Sequence, residues 1–225
     1  SPGDVVLVRA DAPLEGGSPH RWVGQLEQSP LTQAAVVVID PATREVRALS
    51  GGYGSGAGTF NRAAQPRRQA GPTFKPLVYA AAFETGRFTP ISECLDAPIT
   101  FYDKYLQRKW QPKNYGGDFD GRLSLRRALT LSKNLCSVRL IDEVGVDRVL
   151  DLAHRVGIAS ALPRNLTLAL GSGDVSPLEM TNAYATLAAG GRRATPVFIR
   201  RVEDAKGGLL FENRAEPEPA LDPAV

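Results

Sequence analysis

The sequence predicts an α+β domain, with an antiparallel sheet covered by helices on its faces, and three observations carry that prediction. Residues 34–41 and 45–52 are β-type stretches flanking a turn at Pro41-Ala42-Thr43-Arg44, the pattern of a hairpin. An almost wholly apolar run over residues 72–85, closed by Thr85-Gly86, reads as a buried helix. The stretch 124–157, with Gly145 and Gly157 as stops, reads as a block of helices.

Each element follows in order. Residues 3–9 alternate like a strand, and 11–19 form a Gly/Pro-rich loop before Trp22-Val23-Gly24-Gln25-Leu26. Residues 1–30 are therefore expected to be the end of a preceding β-rich module and a linker. The main domain is expected over 31–212. After its opening hairpin comes a Gly-rich loop over 51–58, then the helix from Pro72, then irregular structure with short strands over 89–121. Ser176-Pro177-Leu178-Glu179 supplies an N-cap, a proline at the first helical position and a capping-box carboxylate, which opens a helix running to Ala189-Gly190. Lys206-Gly207-Gly208 lies between two β-type stretches and reads as the turn of a last hairpin. The Glu- and Pro-rich residues 213–225 are expected to be disordered.

Composition narrows the function classes. A chain of 225 residues that is 43% hydrophobic and 23% charged can bury a full core. Its longest apolar runs, 34–39 and 77–83, fall far short of the ~20 residues that span a bilayer. The net charge of +3 is scattered through pairs such as Arg67-Arg68 and Arg200-Arg201 rather than gathered into a stripe, so no nucleic-acid partner is expected. Cys94, Cys136, His20 and His154 have no metal-ligand spacing, and neither a metal nor another cofactor is expected. Cys136 reads as a small core residue and Cys94 as a loop residue; a disulfide between them is allowed but not called for by the sequence. His154 falls on an amphipathic helix and reads as a surface or half-buried side chain.

The chemistry concentrates at two places. Gly71-Pro72-Thr73-Phe74-Lys75-Pro76 opens the apolar helix, and residues three apart share a helix face, so a hydroxyl at position 72 would lie within reach of the Lys75 amine. That position holds Pro72, which has no hydroxyl. Thr73 is no substitute, because two helical residues lie ~200° apart around the axis. The second place is Ser132-Lys133-Asn134, at the meeting of two helical stretches, where a hydroxyl can relay a proton and an amide can hold a peptide backbone.

With their flanks these pieces resemble the transpeptidase domain of the bifunctional class A penicillin-binding proteins. Ala34-Ala35-Val36-Val37-Val38-Ile39-Asp40-Pro41 is similar to the family's opening hairpin, and Arg68-Gln69-Ala70-Gly71 to the approach to its nucleophile. Trp110-Gln111-Pro112-Lys113-Asn114-Tyr115, Leu166-Thr167-Leu168-Ala169-Leu170-Gly171-Ser172 and Pro177-Leu178-Glu179-Met180 follow in the family's order. The resemblance implies a penicillin-binding/β-lactamase-like fold and acyl transfer on peptidoglycan stem peptides on the extracytoplasmic side of a bacterial inner membrane. It implies a glycosyltransferase domain in the parent chain. Residue by residue, Pro72 stands at the nucleophile's place, Lys75 matches the proton-accepting lysine, and Ser132 and Asn134 match the Ser-x-Asn pair. The family's Lys-Thr-Gly or Lys-Ser-Gly motif is missing from this sequence, so the domain is expected to be incomplete before its last strands, with an open sheet edge. The expected consequence is an inactive chain that takes β-lactams without a covalent bond. The alternative is a non-catalytic pseudo-transpeptidase that binds peptidoglycan or cell-wall synthesis partners.

Overall fold

The computed structural model describes residues 6–13, 22–28, 30–54, 60–103 and 108–225. Its first strand, β1 (Leu7–Pro13), pairs antiparallel with β2 (Trp22–Glu27). Strand structure thus extends past the expected 3–9 into the stretch expected to be loop, with a bulge between Ala10 and Ala12 absorbing the irregular register.

β3 (Val36–Ile39) and β4 (Val46–Ser50) form the expected hairpin, also bulged, between Val38 and Ile39. Its turn places Arg44 in the left-handed region, φ 61°. The Gly-rich loop expected at 51–58 lies partly outside the described residues. β5 (Arg68–Gln69) leads into a tight 3-10 turn, Gly71–Phe74, and then α1 (Lys75–Glu84). The single helix expected from Pro72 is split in this way for a local reason. Pro76 has no N–H to offer the Pro72 carbonyl, which accepts instead from the Lys75 amide. Phe74, Lys75, Leu77, Val78, Tyr79 and Ala82 are all buried, as an almost uniformly apolar helix demands.

β6 (Glu93–Asp96), β7 (Phe101–Asp103), β8 (Arg108–Trp110) and β9 (Gly121–Ser124) follow, β6 pairing with β9 and β7 with β8. The helical block resolves into α2 (Leu125–Thr130), α3 (Asn134–Val144) and α4 (Val146–Arg155). Gly145 and Gly157 end helices with φ of 93° and 115°. Val138, Ile141, Val149, Leu152 and Leu168 join Leu77 and Val78 of α1 in one core. His154 is exposed on α4, as expected. Cys136 is a buried core residue of α3, as expected, but the reading of Cys94 is corrected: it lies on β6 and is disulfide-bonded to Cys136, with Cα atoms 5.7 Å apart. Sequence spacing could not show this, because a disulfide needs the two Cβ vectors to converge and only the packing of β6 on α3 brings that about.

β10 (Asp174–Val175) pairs with β5, and α5 (Pro177–Ala188) carries the full capping box between Ser176 and Glu179. α5 packs on β3. β11 (Arg192–Arg193), the hairpin β12 (Arg201–Glu203) and β13 (Leu209–Glu212), and β14 (Glu218–Pro219) complete the chain. The tail expected to be disordered is not: β14 pairs with β11, and Ala220 and Leu221 are buried. Its apolar end offsets the Glu/Pro composition, since Leu221 belongs to the main core and Val225 packs against it. The ladders are antiparallel as expected, but among the described residues they are seven two-stranded pairs rather than one broad sheet, with one isolated parallel bridge between Glu45 and Val197.

Candidate functional site

The opening of α1 is shaped by a contact with a distant segment. Ala70 and Gly71 donate their amides to the carbonyls of Gly173 and Gly171, at 3.1 and 3.0 Å. Only glycine fits at 171, where φ is 71° and a Cβ would lie 2.0 Å from the Gly71 oxygen. The turn so held presents Pro72 first and Lys75 three residues later. Thr73 is turned to its own backbone, its hydroxyl donating to the Ala70 carbonyl at 2.6 Å, while Tyr184 of α5 donates to the Thr73 carbonyl at 2.8 Å.

Lys75 is 1% exposed, and its amine meets the two other predicted residues. The amine donates to the Ser132 carbonyl at 2.5 Å, to Ser132 Oγ at 3.0 Å and to Asn134 Oδ1 at 2.7 Å. Ser132 occupies the left-handed region, φ 53°, which suits few non-glycine residues and here aims both its oxygens at one amine. Among the described residues no carboxylate partners Lys75. Burial lowers its pKa from 10.5 to about 8, so near neutral pH a fraction of the amine is free to accept a proton.

Behind Asn134 lies a second layer of polar groups. Asn134 donates its Nδ2 to the Lys113 carbonyl at 2.8 Å, and its backbone amide to Asn114 Oδ1 at 2.9 Å. Asp96 is fully buried; Asn114 Nδ2 donates to its Oδ1 at 2.7 Å, and Lys133 Nζ lies 3.2 Å from its Oδ2 and 2.8 Å from Asp120. Burial opposes ionisation of Asp96, but the bonds from Asn114, the Asp120 amide and Lys133 outweigh it and hold the carboxyl below the usual range. The sequence reading missed Asp96, quoted Lys133 only as the middle of Ser132-Lys133-Asn134 with no role, and quoted Asn114 only within a resemblance. A lone aspartate in a short strand gives no signal of a partner 24 residues away.

The arrangement therefore brings Lys75, Ser132 and Asn134 together, with Pro72 one helical turn before the amine. A base of this kind serves acyl transfer when a hydroxyl stands at that turn. A family model described as the penicillin binding protein transpeptidase domain matches residues 34–223. The chain belongs to the penicillin-binding protein transpeptidase family. Penicillin-binding protein 1A of Pseudomonas aeruginosa is 39% identical over 186 residues, 82% of this chain and 22% of that protein. Penicillin-binding protein 1A of Neisseria cinerea is 41% identical over 97% of this chain and 26% of its own length. The chain thus spans about a quarter of the length of these relatives. Among solved structures, penicillin-binding protein 1A from Haemophilus influenzae matches with TM-score 0.80 and 35% identity, over 87% of this chain and 29% of that one. PonA1 from Mycobacterium tuberculosis in complex with penicillin V matches at 0.74 and 30%, over 85% and 54%. The chain is a transpeptidase domain of the penicillin-binding protein 1A type.

Proposed function

We propose that this domain binds the D-Ala-D-Ala end of peptidoglycan stem peptides, in the cleft where its family cross-links them, and that Pro72 stops the chemistry before the acyl-enzyme. In the reaction the family implies, a serine hydroxyl gives its proton to the lysine amine and adds to the penultimate D-Ala carbonyl. The terminal D-Ala leaves, and an amine from a neighbouring strand resolves the ester. Pro72 can form no ester. The observation that carries the reading is the triple grip of Ser132 and Asn134 on the buried Lys75 amine, a base kept in place one turn from an absent hydroxyl. The same observation supports the second reading, a pseudo-transpeptidase kept for binding, since the three side chains stay together without a nucleophile. β-Lactams then bind without a covalent bond.

The Cys94–Cys136 disulfide supports an oxidising compartment, the extracytoplasmic side of the inner membrane. Among the described residues no helix is long and apolar enough to cross a membrane. A glycosyltransferase domain is proposed elsewhere in the parent chain.

Incubation with a fluorescent penicillin followed by intact-mass measurement is expected to show no adduct; one added penicilloyl group on any residue would overturn inactivity. Titration with a D-Ala-D-Ala pentapeptide is expected to move the NMR signals of Lys75, Ser132 and Asn134 saturably. Unmoved signals would sink the binding reading.

A further inference from the structure

We propose that Asn114 is the positioning residue of this site: it holds the start of α3 at Asn134 and, through the adjoining Lys113 carbonyl, sets which end of the Asn134 carboxamide faces Lys75. The proposal rests on the reading of Lys75, Ser132 and Asn134 as the functional site. α3 begins at Asn134 with no cap from its own N-cap side chain, Lys133. Its first amides would be orphans. Instead they point at a side chain 20 residues upstream: Asn114 Oδ1 accepts from the Asn134 amide at 2.9 Å and from the Leu135 amide at 3.4 Å. Asn114 spends its other end on Asp96 Oδ1, at 2.7 Å, and on the Asp118 carbonyl, at 2.8 Å. All its hydrogen-bonding positions are in use, and it is 8% exposed.

The preceding residue finishes the grip. The Lys113 carbonyl takes the Asn134 Nδ2, and this leaves only Oδ1 for the Lys75 amine. Turned the other way, Asn134 would set two N–H donors against an amine that also donates. The polarity that Lys75 meets is thus chosen by the Lys113–Asn114 backbone and side chain and not by α3. Asp96, which anchors Asn114, sits two residues from Cys94, while Asn134 sits two residues from Cys136, so the disulfide ties both ends of this relay. The charged groups on the relay are Asp96, Lys133 and Asp120.

The test is made on the full chain with Asn114→Ala, and with Val149→Ala in the α4 core as a control of comparable disruption elsewhere. Exchange of the Asn134 and Leu135 amides is expected to accelerate on the order of tenfold in Asn114→Ala, since each loses its acceptor. A crystal structure is expected to show the Nζ–Oδ1 contact broken, and the Lys75 ε-carbon NMR titration to leave its parent midpoint, which Val149→Ala keeps. Should Asn114→Ala fail to fold, the milder Asn114→Ser carries the same measurements. If the amides lose protection while the Nζ–Oδ1 contact and the Lys75 midpoint stay as in the parent, Asn114 only caps a helix and the proposal is overturned. No peptide enters the test, so a failure of stem-peptide binding leaves it standing and a failure here leaves binding open to its own titration.

Discussion

Among the described residues two cations, Arg44 and Lys75, are buried without a carboxylate partner, and they are treated differently. Arg44, in the turn of the β3–β4 hairpin, is fully buried; its guanidinium donates to the Asn182 carbonyl and Oδ1, to Thr186 Oγ1 and to the Arg192 carbonyl. Lys75 donates to two oxygens of Ser132 and one of Asn134. Burial pushes both pKa values down. Arginine starts so high that it stays charged regardless, whereas lysine arrives at about 8. The same desolvation therefore yields a permanent charge that clamps the hairpin to α5 and β11, and an amine that trades protons near neutrality. The identity of the cation separates a clamp from a base, with burial alone held common.

The largest effect is expected at the clamp. Arg44→Ala removes the donors that satisfy the Asn182 and Arg192 carbonyls and leaves a cavity, and should cost about 3–5 kcal/mol in urea unfolding. A loss under about 1 kcal/mol would mean that α5 holds the hairpin without it. Next is the disulfide, which closes a loop of sequence separation 42. Cys94→Ala with Cys136→Ala is expected to cost about 3–4 kcal/mol by calorimetry. It should also broaden the NMR signals of Lys75 and Asn134 while leaving those of Arg44 and Asn182 sharp, because the bridge lies on the Lys75 side only. Equal broadening at both cations would erase the contrast between the two regions.

The smallest effect is the pH slope. With its folded pKa depressed, Lys75 penalises the fold fully below about pH 8, and the penalty fades as the pH rises toward 10.5, where the unfolded lysine also loses its proton. Stability should climb between about pH 8 and 10 by up to about 1 kcal/mol per pH unit, and this climb should vanish in Lys75→Met. Above that window both proteins should weaken. Burial raises the Tyr79 hydroxyl from 10.0 to about 12, so stability present below pH 10 is lost as the unfolded phenol ionises. Urea midpoints across the range read both limbs. A parent curve flat between pH 8 and 10 would show that Lys75 keeps its ordinary proton affinity.

What the sequence revealed follows the range of the interactions. The α1 helix, the capping box of α5 and the glycine stops at 145 and 157 are set by neighbours within a few residues, and periodicity or a cap exposed them. Lys75, Ser132 and Asn134 were legible through local motif patterns, though their meeting depends on chain 57 and 59 residues apart. The split at Pro76 was readable in principle, since a proline there has no amide for the Pro72 carbonyl. The Cys94–Cys136 bridge, the docking of residues 218–221 and the Asp96–Asn114–Lys133 cluster are products of packing. Nothing in the local pattern of Glu93-Cys94-Leu95-Asp96 distinguishes a strand holding a buried ion pair from an exposed loop.

The bond between Tyr184 and the Thr73 carbonyl spans 111 residues, and the clamp of Gly171 on Gly71 is nearly as long in sequence. On a ribosome adding ~5–20 residues per second, the turn that presents position 72 waits roughly 6–20 s after its own synthesis for the segment that shapes it. Helix α1 finds α3 and α4 sooner, once residues 134–155 are made. The turn before it is therefore the late part of the site, and the apolar helix gains its core before the position ahead of it gains its shape.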